Sequence, residues 1–177
     1  MKLIAGDIAP EFTLPDFMGN TVSLSEYKGK KILLSFFRGA SCPFCNLRVH
    51  ELIKRHDDFE QKGLHIITVF MADAKEIQQY AGKQFPVFPV IPDSKSAVYK
   101  KYGIESSVIG MFKAMLRIET MVKMMMGGFF NMNSTTDKTL PADFLIDENG
   151  KIYQVYYGTD YGDHIDLNEV EKWIKYK

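Results

Sequence analysis

The chain has 177 residues, which is enough for one sizeable hydrophobic core and too few for two comfortable domains. Its 22 basic and 22 acidic side chains cancel, so no net charge attracts nucleic acid, and a charged partner has to meet a local patch. No segment predicts a signal peptide or a membrane span, which favours the cytoplasm. We therefore expect a single cytoplasmic domain, residues 1–177, without a nucleic-acid partner.

The chain begins with strand and turn residues and continues as an alternation of strands and helices. Gly19-Asn20 separates two short extended pieces, which predicts a hairpin added at a sheet edge. The order of elements predicts an α/β fold with a central mixed sheet flanked by helices. The predicted elements are the hairpin strands 12–14 and 21–23, strand 31–37, helix 43–62, strand 64–70, a helix that Asp73 and Glu76 open as a capping box and that ends before Pro86, helix 94–102, strands 142–147 and 151–157, and helix 167–176.

Residues 109–133 differ in composition from the rest, because seven of the ten methionines fall there. The segment predicts an insertion over about 104–139, with a helix from Met111 to Met126. We expect its apolar face to be covered by the fold itself or by a second copy of the chain. A lid over apolar substrates and contact with a membrane surface are the alternatives. That face would carry Met111, Met115, Ile118, Val122 and Met125.

The only two cysteines lie in the sequence Cys42-Pro43-Phe44-Cys45, where a buried strand gives way to a helix. Backbone N–H groups and the dipole at a helix N-terminus stabilise a thiolate. Two cysteines three residues apart in a first turn are close enough for a disulfide. Cys45 shares a helical stripe with Val49, which predicts that Cys45 faces the core while Cys42 faces solvent. We therefore expect Cys42 to attack a substrate and Cys45 to resolve the intermediate.

Other uses of a Cys-x-x-Cys pair fit less well. A structural zinc site needs four ligands, and His50 alone does not complete one, so no metal is expected. The interpretation that both cysteines are inert is also disfavoured, because Pro43 at the first helical position is typical of a defined helix N-terminus. A copper(I) carrier is a minor alternative, since thiolates and thioethers are soft ligands. Known copper(I) chaperones with a cysteine pair have a longer cysteine spacing and a histidine just before the strand that corresponds to 142–147, where this chain has none.

Three segments of this chain resemble the alkyl hydroperoxide reductase and thiol-specific antioxidant family, the peroxiredoxin-like branch of the thioredoxin fold. The resemblance extends from about residue 3 to 157 and implies a thioredoxin-like fold. It also implies that Pro141 is a cis-proline beside the active cysteines, where it positions substrate. We expect Pro43 and Phe44 to contact substrate as well. The three segments are 6–14, 31–45 and 140–152.

The chain departs from the family at several functional positions. Alignment of the peroxidatic cysteine on Cys45 puts Arg38 in place of the family's proline and Cys42 in place of its threonine. The family's transition-state arginine falls on Tyr153, and the buried acid of thioredoxins falls on Phe36. We expect Arg38 to act as the cation that lowers a thiol pKa, and proton delivery to Cys45 to come from elsewhere.

The sequence thus predicts a thiol-dependent oxidoreductase that cycles Cys42 and Cys45 between dithiol and disulfide without a cofactor. Reduction of disulfides in proteins or small molecules is the favoured activity. Reduction of hydroperoxides through a sulfenic acid is the alternative. Either activity requires a reductant, which the sequence does not identify.

Overall fold

A computed structural model of the protein describes residues 1–106, 118–128 and 138–175. Predicted and observed bounds agree for the two longest strands and differ by one residue for the longest helix. The elements are β1 (Thr13–Pro15), β2 (Thr21–Ser23), β3 (Lys31–Phe37), α1 (Pro43–Gln61), β4 (Leu64–Phe70), α2 (Ala74–Gln79), β5 (Val90–Pro92), α3 (Ala97–Lys101), α4 (Ile118–Met126), β6 (Ala142–Ile146), β7 (Ile152–Tyr157) and α5 (Leu167–Lys175), with 3-10 helices at Leu24–Tyr27 and Ala81–Gln84.

The centre of the fold is a five-stranded mixed sheet in the order β5-β4-β3-β6-β7. Strand β3 pairs in parallel with β4 and antiparallel with β6. The βαβ unit from β3 through α1 to β4 and the antiparallel finish are therefore confirmed. Every residue of β3 is buried, as expected for a strand that is covered on both faces of the sheet.

Alternate side chains of β3 enter two separate hydrophobic clusters. Leu33 and Phe37 pack with α1, α2 and α5, in the same cluster as both cysteines. Leu34 and Phe36 pack on the other face with α3 and the N-terminal segment. The period-two alternation of a strand thus decides which β3 residues lie on the cysteine side of the sheet.

The N-terminal hairpin forms as predicted, with Thr13 opposite Ser23 in an antiparallel pair. The expectation that it extends the edge of the sheet is wrong, because β1 and β2 form a separate two-stranded sheet. The turn, rather than a strand, meets β5: the Phe17 amide donates to the Val90 carbonyl at 2.9 Å. Asp16 holds this turn by accepting from the Met18 amide at 2.9 Å.

Carboxylates fix the starts of α2 and α3. Asp73 accepts from the Glu76 amide at 2.8 Å, which confirms the predicted cap of α2. The third helix was expected from residue 94, but it begins at Ala97. Asp93 accepts from the Ala97 and Val98 amides at 2.9 and 2.7 Å, so its carboxylate fixes the later start.

The methionine-rich segment packs differently from the prediction. Met111 and Met115 lie outside the described residues, but α4 occupies the second half of the predicted helix. Val122 and Met125 on the predicted face are 51% and 68% exposed, whereas Met124 is 2% exposed. Nearly all positions from 121 to 126 are apolar, so the pattern does not select a face, and packing against α1 does. The expectation that the fold itself covers this face is wrong for the described residues.

Contacts with a second copy or a membrane surface through this face remain predictions. Within the described ranges, no helix is both long enough and apolar enough to cross a bilayer.

We expect Met124→Ala to lower the free energy of unfolding by about 2–5 kcal/mol, because it removes a buried side chain and leaves a cavity. Met125→Ala on the exposed side of the same helix is the matched control, with an expected change below about 0.5 kcal/mol. Urea denaturation followed by circular dichroism measures both. Equal losses in the two variants would contradict the observed orientation of α4.

Candidate redox site

The two cysteines lie where β3 passes into α1. Cys42 is the N-cap residue of α1 with an extended backbone, and Pro43 begins the helix, as predicted. The Cys42 carbonyl accepts the first helical hydrogen bond from the Asn46 amide at 3.1 Å. The Cys42 side chain therefore lies at the end of α1 where N–H groups lack helical partners.

Asn46 holds the loop that carries Cys42. Its side-chain amide is fully buried and donates to the Ala40 carbonyl at 2.6 Å and to the Cys42 carbonyl at 2.9 Å. Gln84 donates to the Asn46 side-chain oxygen at 3.1 Å. The sequence analysis missed Asn46, although an amide directly after Cys45 in the first turn of the predicted helix was a usable signal.

Both cysteines are free thiols with no exposed surface. The burial of Cys45 confirms the predicted helical stripe. The expectation that Cys42 faces solvent is wrong, because the segment after β7 covers the helix entrance. A Cβ atom at Gly162 would lie 2.9 Å from the Phe44 ring, so only glycine lets this segment pack so closely against Phe44.

Arg38 makes direct contact with the site. Its Nη1 donates to the Cys42 sulfur at 3.4 Å, and the residue is only 5% exposed. The guanidinium lies over the Tyr161 ring with 3.4 Å between Cζ and the ring centroid. A cation over an aromatic face is attracted by the ring quadrupole, so Tyr161 helps to fix the position of Arg38.

The two thiols differ in acidity. The hydrogen bond from the Cys45 thiol is the strongest effect on the pKa of Cys42; burial opposes it, and the Arg38 charge and the Cys45 backbone N–H lower the pKa further, to about 6. Burial raises the pKa of Cys45 well above its ordinary value, and its hydrogen bond to Cys42 adds to this. With these pKa values, Cys42 is the thiolate and Cys45 the protonated thiol at neutral pH.

One family-based expectation fails, and the residue at the position of the family's arginine is exposed. The peptide bond before Pro141 is trans, so the cis-proline expectation is wrong. The chain is held on both sides of that bond, where the Leu140 amide donates to the Glu105 carbonyl and the Gly158 amide donates to the Pro141 carbonyl, each at 2.9 Å. Tyr153 is 54% exposed and stacks on Trp173, with 5.1 Å between the ring centroids.

A buried carboxylate on β6 was not assigned by the sequence analysis. Asp143 lies opposite Ser35 of β3, which donates to it at 2.5 Å. His164 Nδ1 and the Ile165 amide are 3.0 and 2.8 Å from the second oxygen. Burial alone would raise the pKa of Asp143, but the interactions with His164, Arg48 and Ser35 outweigh it and hold the pKa below its usual value.

Asp143 and Ser35 lie on the cysteine side of the sheet, because they alternate in phase with Leu145 and Phe37. The thioredoxin acid position, Phe36, faces the opposite cluster. A buried acid is thus present beneath α1, but it comes from the neighbouring strand. The signal in the sequence was a lone carboxylate inside the apolar run from Ala142 to Ile146.

Comparisons with known proteins identify the family. A model of the AhpC/TSA family matches residues 5–155. The chain belongs to this family. Peroxiredoxin Bcp of Escherichia coli is 27% identical over 175 residues, which cover 98% of this chain and 96% of that protein. The family membership makes the protein an enzyme, a thiol-dependent oxidoreductase of peroxiredoxin-like type.

Solved structures confirm the thioredoxin-like fold. Peroxidoxin BcpB from Mycobacterium tuberculosis matches with a TM-score of 0.70 and 16% identity, over 98% of this chain and 95% of that chain. The thioredoxin domain of a thiol-disulfide oxidoreductase from Bacteroides vulgatus matches with a TM-score of 0.59 and 23% identity, over 98% and 99% of the two chains.

We expect Arg38→Met to raise the pKa of Cys42, because the variant removes a cation and a hydrogen-bond donor from the thiolate. The ultraviolet absorbance of the thiolate, which does not depend on reagent access, measures this. In the unsubstituted protein the absorbance should fall as the pH is lowered through about 6, and in the variant at higher pH. Lys95→Met, which changes an exposed cation elsewhere, is the control. Identical profiles for Arg38→Met and the unsubstituted protein would exclude Arg38 from thiolate stabilisation.

Proposed function

We propose that the protein is a thiol-disulfide oxidoreductase in which Cys42 attacks and Cys45 resolves. The supporting observation is the asymmetry of the pair: the Cys42 sulfur accepts a hydrogen bond from Arg38, and its pKa is about 6. The pKa of Cys45 lies well above the ordinary value. A nucleophilic thiolate next to a protonated thiol is the arrangement that a two-step exchange requires.

In the first step, the Cys42 thiolate attacks one sulfur of a substrate disulfide. The substrate S–S bond breaks, a mixed disulfide forms on Cys42, and the departing thiolate takes a proton. In the second step, Cys45 loses its proton and attacks the Cys42 sulfur, which releases the second substrate thiol. The protein disulfide that forms has lost two electrons to the substrate.

Access to Cys42 requires movement of the segment around Tyr161 and Gly162, because this segment covers the helix entrance. Pro43 and Phe44 are half-buried beside the cysteines, and we assign them to substrate contact. Pro141 keeps the same proposed role with a trans bond. A reducing cytoplasm suits this cycle, because it keeps the pair in the dithiol form between turnovers.

We expect Cys42→Ser to abolish disulfide exchange and Cys45→Ser to trap a mixed disulfide on Cys42. Incubation with a disulfide-containing peptide, followed by mass spectrometry of the adduct, measures both outcomes. The double variant Cys42→Ser/Cys45→Ser is the control for adducts elsewhere. An adduct on Cys45 in the Cys42→Ser variant, formed as fast as in the other single variant, would reverse the assigned roles.

Peroxidase activity is a second candidate, and the complete burial of Cys42 favours it, since a hydroperoxide is smaller than a peptide disulfide. The Cys42 thiolate would attack a peroxide oxygen, the O–O bond would break, and the alcohol or water would leave with a proton. Cys45 would then displace the hydroxyl of the Cys42 sulfenic acid as water and form the disulfide.

The rate of oxidation by stoichiometric hydrogen peroxide separates the two candidates. A peroxidase should react with it orders of magnitude faster than a free thiol of matched pKa does, whereas a disulfide reductase should react at a similar rate. Stopped-flow measurement on the reduced protein, with Cys42→Ser as the control, gives the comparison.

A copper(I) carrier remains a minor proposal that rests on the two thiolates alone. Among the described residues, no three His, Cys, Asp or Glu side chains form a metal-binding group. Titration with copper(I), with and without the cysteine substitutions, tests this proposal.

A further inference from the structure

A cavity of about 420 Å³ lies beside the redox site, between α1, α4 and the chain from Gly162 to Asn168. Phe44, which stands between the two cysteines in sequence, forms part of its wall. The volume falls within the range of about 300–1,000 Å³ that is typical of small-molecule sites. A concave space of this size suits a small ligand better than a protein surface.

Four basic and two acidic side chains line the cavity, and two of the basic ones, Arg55 and Lys123, are paired with carboxylates outside the lining. Lys54 forms no ion pair with any residue that the structure describes. The Arg48 side chain is 8% exposed, and its ion pair with Glu51 is long, at 3.8 Å. The charged residues that line the cavity are Arg48, Lys54, Arg55, Lys123, Glu51 and Asp166.

Two buried polar atoms on residues of this wall have no hydrogen-bond partner among the described residues. They are Arg48 Nε and His164 Nε2. The His164 side chain is 4% exposed, and Asp143 holds its Nδ1 at 3.0 Å, which fixes the ring. Both atoms are buried behind the wall, so a ligand in the cavity pairs with them only where the two side chains turn towards it, and such a ligand would have to be polar. The N–H of Arg48 is suited to a carboxylate.

We propose that this cavity binds a small thiol that carries a carboxylate, and that this thiol is the reductant of the Cys42–Cys45 disulfide. The proposal rests on the proposed dithiol-disulfide cycle, which needs a source of electrons. Arg48 and Lys54 bind the carboxylate. The thiol end of the ligand lies towards Phe44, the cavity residue nearest to both cysteines in sequence.

The electron balance requires two molecules of the small thiol. The first, as a thiolate, attacks the Cys42 sulfur; the protein S–S bond breaks, a mixed disulfide forms on Cys42, and Cys45 leaves and takes a proton. The second thiolate attacks the small-molecule sulfur of the mixed disulfide, and Cys42 leaves as the thiolate that Arg38 stabilises. Two thiols become one small disulfide, and two electrons pass to the protein.

The test compares the reduction of the oxidised protein by glutathione, which carries carboxylates, with reduction by neutral 2-mercaptoethanol. We expect Lys54→Met to lower the ratio of the glutathione rate to the 2-mercaptoethanol rate by about tenfold, because the variant removes a cation that binds the carboxylate. Lys54→Arg should largely restore the ratio. Lys95→Met, at an exposed cation outside the cavity, should leave it unchanged.

A binding measurement accompanies the rates. Calorimetric titration of glutathione disulfide into the Cys42→Ser/Cys45→Ser variant should show binding that weakens with salt and with Lys54→Met. If both thiols reduce the protein and Lys54→Met leaves the ratio and the binding unchanged, the cavity is not the thiol site, while the proposed function stands. If neither thiol reduces the oxidised protein and Cys45→Ser traps no mixed disulfide, the proposed function itself is wrong.

Discussion

Strand β3 is buried along its whole length, and the position of the redox site follows from where this strand ends. Its neighbours β4 and β6 fix it from both sides by hydrogen bonding, so the chain leaves the sheet at one defined point after Phe37. Cys42 follows five residues later as the N-cap of α1, which begins at Pro43. The central strand therefore places the Cys42 sulfur next to the backbone N–H groups at the N-terminus of α1. Asn46 holds the short connection between strand and helix through two hydrogen bonds.

Burial and charge act against each other at Cys42. A thiolate without solvent contact is costly, yet the Cys45 thiol, the Arg38 guanidinium and a helix N–H group together outweigh that cost. Burial also keeps Cys45 protonated, and the negative charge on the adjacent Cys42 raises the pKa of Cys45 further. The two thiols therefore differ in character, because the Cys45 thiol and Arg38 both donate hydrogen bonds to the Cys42 sulfur.

The sequence predicted the features that depend on local pattern. The strands at 31–37 and 64–70 match because they are long apolar runs, and Pro43 marked the helix start. The features it missed depend on contacts between distant residues: Asp143 is 108 positions from Ser35, and the segment around Tyr161 covers a cysteine that local pattern placed in solvent. The packed face of α4 was missed because nearly all positions from 121 to 126 are apolar, so the neighbouring surface of α1 decides which of them is buried.

Arg38 couples the charge of the site to its oxidation state. In the dithiol form this buried cation faces an anionic sulfur at 3.4 Å. Disulfide formation replaces that anion with a neutral sulfur, so the guanidinium loses a favourable electrostatic interaction in surroundings that solvate charge poorly. Interactions that favour the thiolate therefore favour the reduced state and make the reduction potential of the pair less negative. A weaker reductant is then enough to reopen the disulfide, and the dithiol reduces a substrate with correspondingly less free energy.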